Sequence, residues 1–186
     1  MRFTTVSRLL QRGRFLAALP YLRGDVLDLG CNTGQILPWL KPVQRYVGVD
    51  GNARVAAWWQ NKHPEVEFYL RNLDGDALGL DRRFDTVLML AVLEHLSRPE
   101  NILGQIRQLL KPEGRLVITT PSAMGDRIHH LGAAFGIFSR EAAEEHKAQF
   151  TEESLRRLLS SQGLAVSQYR RFMLGGNQLC VGELRR

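Results

Sequence analysis

The chain has 186 residues, 44% of them hydrophobic and 24% charged, with a formal net charge of +6. This is the balance of an ordinary soluble globular domain, long enough to bury a core without disulfides or metal. Its longest apolar run, residues 87–93, falls far short of the roughly 20 residues that cross a bilayer.

The first element expected is a basic helix within residues 1–23. Five arginines (Arg2, Arg8, Arg12, Arg14 and Arg23) and no acid fall here, leaving 20 bases against 19 acids over the remainder. A nucleic-acid binder is normally basic across a whole face, so this local charge disfavours a nucleic-acid partner. Val6, Leu9, Leu10, Leu16 and Leu19 lie roughly on one helical face, interrupted by Gly13. A transit peptide and a membrane-surface helix share this composition, leaving a peripheral membrane contact open. A first helix packed on the domain is the favoured reading. The arginines break any secretory apolar stretch, and Cys31 and Cys180 show no framework spacing, so a reducing, cytoplasmic setting fits best.

From residue 24 to 186 short β-branched runs alternate with helical patterns, as in an α/β domain whose mainly parallel sheet is covered on both faces. Strands are expected at 25–29, 45–50, 66–70, 84–91, 115–120, 164–171 and 178–184. Helices are expected at 33–40, despite Pro38, at 98–110 behind a Ser97/Glu100 capping box, and at 152–162 behind a Thr151 cap. The last two strands are separated by only residues 173–177. That is too few for a parallel crossover, so they must form an antiparallel hairpin, unlike a dinucleotide-binding Rossmann sheet.

The chemistry concentrates in the loop after the first strand. Gly30 and Gly34 let the backbone turn sharply and approach a ligand, with Asn32, a residue that tolerates positive φ, between them. The second strand ends at Asp50, where a carboxylate can accept both hydroxyls of a ribose. The glycine spacing is not that of a pyrophosphate-binding loop, and no phosphate-binding Gly-Lys-Ser/Thr sequence occurs. A nicotinamide-dependent reductase is thereby penalised.

The segments VLDLGCNTG (26–34), YVGVD (46–50), FDTVLMLAVLEHL (84–96), LLKPEGRLVITTP (109–121) and HKAQFTEESLRRLLSSQGL (146–164) together resemble the class I S-adenosylmethionine-dependent methyltransferases over about residues 22–184. The closest subset acts on metabolites, lipids or glycan intermediates. The resemblance implies a doubly wound, mainly parallel seven-stranded α/β sheet with a terminal antiparallel hairpin, and S-adenosyl-L-methionine as cofactor. It places Asp28, Gly30 and Gly34 around the methionine portion, with Asn32 where the family usually has glycine, and Asp50, followed by Gly51, at the ribose. Asn72 with Leu73 fits the adenine side, with Asp74 or Asp76 as alternatives, and Leu90 and Ala91 line the methionine end.

A sulfonium methyl is already activated, so transfer mainly needs the acceptor held in line with water excluded. A general base matters only for an acceptor that must lose a proton. His95 and His146 are the candidates, each set against simple local hydrogen bonding; Glu94 is read as structural. Residues 121–150, with His129 and His130, are the expected lid. No metal site is expected. Of Trp58 and Trp59 one should pack on the sheet, and Cys31 should be a small buried side chain. A cofactor-binding subunit without catalysis is the alternative reading.

Overall fold

The computed structural model describes residues 5–40, 45–122 and 148–185, with side chains from residue 8 onward. His129, His130, His146 and most of the expected lid therefore lie outside the described residues.

The seven strands are β1 (Val26–Leu29), β2 (Tyr46–Asp50), β3 (Glu67–Leu70), β4 (Phe84–Leu90), β5 (Leu110–Pro121), β6 (Leu164–Phe172) and β7 (Asn177–Leu184). They form one sheet in the order β3-β2-β1-β4-β5-β7-β6. β1 to β5 pair in parallel, while β7 lies antiparallel to both β5 and β6. The short connection, residues 173–176 in the structure, thus has the expected consequence, and the reversed strand is second from the edge.

Side chains alternate across each strand, and the core divides accordingly. Leu27, Val87, Met89, Leu116, Ile118 and Cys180 enter one hydrophobic layer; Val26, Leu88, Val117, Leu179 and Val181 enter the other. The helices α3 (Pro99–Leu109) and α4 (Glu152–Ser161) cover the first layer with Ile102, Leu103, Ile106, Leu155 and Leu159. Each such side chain contributes about 1.5–3 kcal/mol on burial. The opposite layer is covered by α1 (Thr5–Ala18) through Ala17 and Ala18, and α2 (Ala53–Lys62) packs beside it through Val55 and Trp59.

Three local expectations fail for identifiable reasons. Residues 33–40 form turns and a single 3₁₀ turn, Leu37–Trp39, with Pro38 inside it. Proline supplies no amide to continue a longer helix. The Ser97/Glu100 capping box does not form: Arg98 is the N-cap, Pro99 opens α3, and Asp74 accepts the Ser97 and Arg98 amides at 2.7 and 3.3 Å. On α1 the expected apolar face is turned around, because Leu9 and Leu16 are exposed while Phe15, Ala17 and Ala18 face the sheet. By contrast α4 starts as expected, with Thr151 and Ser154 capping one another.

Candidate functional site

The carboxyl ends of β1, β2 and β4 meet beneath the inner face of α1. The loop after β1 is tied to β2, because the Gly30 and Cys31 amides both donate to Val49 O at 2.8 and 3.1 Å. Gly34 needs to be glycine twice over: its φ is +59°, and a Cβ there would lie 2.4 Å from the Trp59 ring. Asn32 adopts φ 47° at the crest of the loop, and its side-chain oxygen accepts the Thr33 amide at 2.8 Å.

Two carboxylates organise this loop differently. Asp50 accepts the Asn32 amide on one oxygen and the Asn52 amide on the other, each at 2.9 Å. Each oxygen keeps lone-pair capacity toward the strand tips. Asp28 is buried, and its Oδ2 accepts the Tyr46 hydroxyl at 2.7 Å. Burial pushes the Asp28 carboxyl up, the Tyr46 hydrogen bond opposes this, and nearby Asp50 adds to it, leaving a pKa of about 7. Burial and the Asp28 charge raise the Tyr46 phenol well above its usual range, so it remains a donor.

Trp59 does more than pack on the sheet. Its indole Nε1 donates to Asn32 O at 2.7 Å, and its ring stacks between Tyr46 and Phe68 with centroids 6.1 and 5.8 Å away. Trp58 is half-buried and meets Trp59 edge-on. Cys31 is buried, and burial with the charges of Asp28 and Asp50 pushes its thiol far up, which removes it as a nucleophile.

A cavity of about 230 Å³ opens here. Asp28, Gly30, Asn32, Leu90 and Ala91 line it, as do Cys31, Gln35 and Ile36, and α1 closes it with Gln11, Arg14 and Phe15. Ala91 takes φ 59° and its amide donates to Thr119 O at 2.8 Å, a strained turn just where β4 ends. Arg14 Nε donates to Asn177 Oδ1 at 3.0 Å. Burial lowers the Arg14 pKa, while the Glu94 charge opposes that shift. Glu94 is itself buried, and among the described residues neither carboxylate oxygen has a hydrogen-bond partner; Gln35 Oε1, Thr119 Oγ1 and Thr120 Oγ1 are likewise buried without one. Unsatisfied polar groups of this kind are costly in a core and usual where a ligand completes the set.

The remaining sequence candidates separate. Gly51 is exposed at the tip of β2. Asn72 is exposed beyond β3, its Oδ1 accepting the Asp74 amide at 3.1 Å. Leu73 belongs to the core, Asp74 caps α3, and Asp76 accepts the Asn72 amide at 2.8 Å. His95 is half-buried at the end of a 3₁₀ turn, Leu93–His95, just past the cavity. The sequence reading missed Gln11, Arg14, Phe15, Gln35 and Tyr46. An available signal was the i, i+3, i+4 spacing of the first three, which puts them on one helical face with Ala18.

A family model described as a methyltransferase domain matches residues 2–169. Among curated proteins, a tRNA U34 carboxymethyltransferase of Pseudoalteromonas translucida is 34% identical over 119 residues, which is 61% of this chain and 37% of that protein. A ubiquinone biosynthesis O-methyltransferase of Rhodopseudomonas palustris is 31% identical over 100 residues, 51% of this chain and 39% of the relative. The chain thus spans about two-fifths of the length of these relatives. Among solved structures, the magnesium protoporphyrin IX methyltransferase of Synechocystis, with bound SAH, superposes with a TM-score of 0.72 at 19% identity, covering 100% of this chain and 90% of that one. A Clostridium acetobutylicum S-adenosylmethionine-dependent methyltransferase gives a TM-score of 0.69 at 13% identity, over 94% and 91% of the two chains. At these identities the structural likeness is one of fold.

Proposed function

The chain belongs to the methyltransferase-domain family, within the class I S-adenosylmethionine-dependent methyltransferases, and on that footing we propose that it transfers the methyl group of S-adenosylmethionine to a small-molecule, lipid or glycan-intermediate acceptor. The carrying observation is the cavity shared by the loop after β1, the tip of β4 and the inner face of α1. Its walls combine a buried carboxylate, a glycine-bearing loop and the Gln35 side-chain oxygen, which has no partner among the described residues, and this fits a cofactor with a cationic amino acid end and a ribose.

In this reading Asp50 accepts the ribose hydroxyls with the lone pairs its two amide bonds leave over. Asp28, Gly30 and Asn32 face the methionine end, and ionised Asp28 offers its charge to the α-ammonium group. Leu90 and Ala91 wall the point where the methyl group would lie, and Asn72 marks the adenine side. Once bound, the cofactor supplies an electrophilic methyl carbon on a sulfonium. The work left to the protein is to hold the acceptor atom about 3–3.5 Å away, in line, with water excluded. Phe15 and Ile36 exclude water, while Gln35 and Arg14 supply the polar groups that orient an acceptor, with Glu94 acting on Arg14 through its charge. His95, and His146 from outside the described residues, are the candidate bases for a hydroxyl acceptor.

The ubiquinone-pathway relatives support an organic acceptor, and the tRNA relatives favour RNA as a second reading. Two measurements test these readings. Calorimetric titration with S-adenosylmethionine and S-adenosylhomocysteine, with NADH as control, should give micromolar binding of the first two; binding of NADH alone would refute the cofactor assignment. Incubation with methyl-labelled cofactor should then label material in organic or small-molecule extracts. Label confined to tRNA would replace the acceptor class, and persistent binding with no labelled product would favour a non-catalytic subunit.

A further inference from the structure

Five large apolar side chains are exposed among the described residues, and four of them gather around the outer face of α1. Leu9 and Leu16 lie on that face at 64% and 47% exposure. Trp39 flanks it on one side, where the Arg12 guanidinium sits over the indole at 5.6 Å. On the other side the β6–β7 turn rests on the helix, since a Cβ at Gly13 would lie 2.5 Å from the Met173 sulfur. The next residue in that turn, Leu174, is fully exposed. Both Met173 and Leu174 hold positive φ, 53° and 54°, a conformation that non-glycine residues rarely adopt. Strain is thus retained in a turn that presents an apolar side chain to solvent.

The charge of this surface has one sign. Arg8 and Arg12 are exposed among the leucines, and no acid occurs anywhere in residues 1–23. Leucines and an indole ringed by arginines match an anionic lipid interface, where apolar side chains enter the acyl boundary and guanidinium groups meet phosphates. A polyanion such as RNA would use the arginines and leave Leu9, Leu16 and Leu174 in water. Among the described residues no helix is long and apolar enough to cross a membrane.

We infer that the outer face of α1, with Trp39 and Leu174, docks the protein on an anionic membrane surface. The inner face of the same helix carries Gln11, Arg14 and Phe15 into the cavity. The docked surface and the cavity are therefore separated by one helix, about 10–12 Å across. Where the methyl-transfer reading also holds, a lipid acceptor in the bilayer lies beside the cavity.

Co-sedimentation with vesicles of phosphatidylcholine, with and without phosphatidylglycerol, tests the docking without cofactor. The wild-type protein should bind only the anionic vesicles. The combined Leu9→Ser, Leu16→Ser and Leu174→Ser variant should bind about tenfold more weakly or worse, and so should Arg8→Glu with Arg12→Glu. All five positions are exposed, and an unchanged circular-dichroism spectrum and Tm verify that the variants are folded. Equal sedimentation with both vesicle types, none with either, or full binding by the leucine variant would overturn the proposal. So would dimerisation of the wild type that the leucine variant abolishes, or binding to unstructured RNA at the expense of vesicles. If vesicles are bound but S-adenosylmethionine is not, docking stands and the methyl-transfer reading falls.

Discussion

The two ends of the sheet differ in how their polar groups are satisfied. At the amino ends of β1, β4 and β5, Lys111 Nζ bridges Asp25 and Asp85 at 3.1 and 2.6 Å, and Asp85 also accepts the Asp25 amide. Burial pushes the Asp85 carboxyl up, but Lys111 and the Asp25 amide outweigh it and hold the group below the usual carboxylate range. Thr86 exchanges two hydrogen bonds with the Arg23 backbone. At the carboxyl ends Gln35, Glu94, Thr119 and Thr120 bury oxygens without partners. Among the described residues Arg115 Nε is the one such atom at the amino end. One end is nearly complete as folded; the other has more groups left over for something else to bind, which is where open α/β sheets take their ligands.

The contrast implies that changes at the carboxyl ends should move ligand binding first and changes at the amino ends stability first. Gly34→Ala should have the largest effect. The new methyl group lands 2.4 Å from the Trp59 ring at a positive φ, so the indole must release Asn32 and cofactor affinity should fall beyond two decades, about 3 kcal/mol. Its counterpart, Lys111→Met, should lower Tm and leave the calorimetric Kd for S-adenosylhomocysteine unchanged. A shift of Kd in that variant would show the two ends to be coupled.

Asp50→Ala comes next. Loss of the ribose contacts should weaken cofactor binding by about 1.5–3 kcal/mol, one to two decades. The variant also strands the Asn32 and Asn52 amides, so a small fall in Tm should accompany it, and unchanged affinity would sink the ribose assignment. Glu94→Gln sharpens the comparison in another way. It replaces a buried carboxyl group that has no hydrogen-bond partner among the described residues, so Tm should hold or rise while labelled-methyl transfer drops by about tenfold. A fall in Tm with unchanged transfer would move Glu94 to the structural end.

The smallest expected effect is a pH dependence. Asp28 has its carboxyl raised from 3.8 to about 7, so the folded protein loses the stability of a neutral Asp28 as pH rises between those values. Binding of a cationic cofactor runs the other way: affinity should climb with pH through about 7, by about threefold over the one pH unit centred there. Tyr46→Phe removes the opposing hydrogen bond and should shift the midpoint upward in calorimetry across pH. A step that survives Asp28→Asn belongs to another group.

Much of the sheet was legible because its strands are short, largely apolar runs separated by turn residues and helical patterns, and because five residues cannot make a parallel crossover. Asp28, Gly30, Asn32 and Asp50 were legible as a loop and a strand tip joined by sequence order. What was not legible depends on partners distant in sequence. Nothing local marks Trp59 as the donor to Asn32 O, Asp74 as the cap of α3, or Tyr46 as the donor to Asp28. The face of α1 was misassigned because hydrophobicity points Leu9 and Leu16 inward, whereas the inner face needs small alanines and cavity-lining polar groups.

The position of β7 bears on how the molecule is made. β7 lies between β5 and β6 and pairs along its whole length with both. During synthesis β6 leaves the ribosome before the strand that joins it to the sheet, and β5 keeps an open edge until residue 184 has emerged. In that interval two strand edges are unpaired at once, an invitation to intermolecular pairing. Deleting Asn177–Leu184 would extend this interval indefinitely, so the nascent protein's solubility rests on a segment that also reaches the cavity wall through the bond of Asn177 to Arg14.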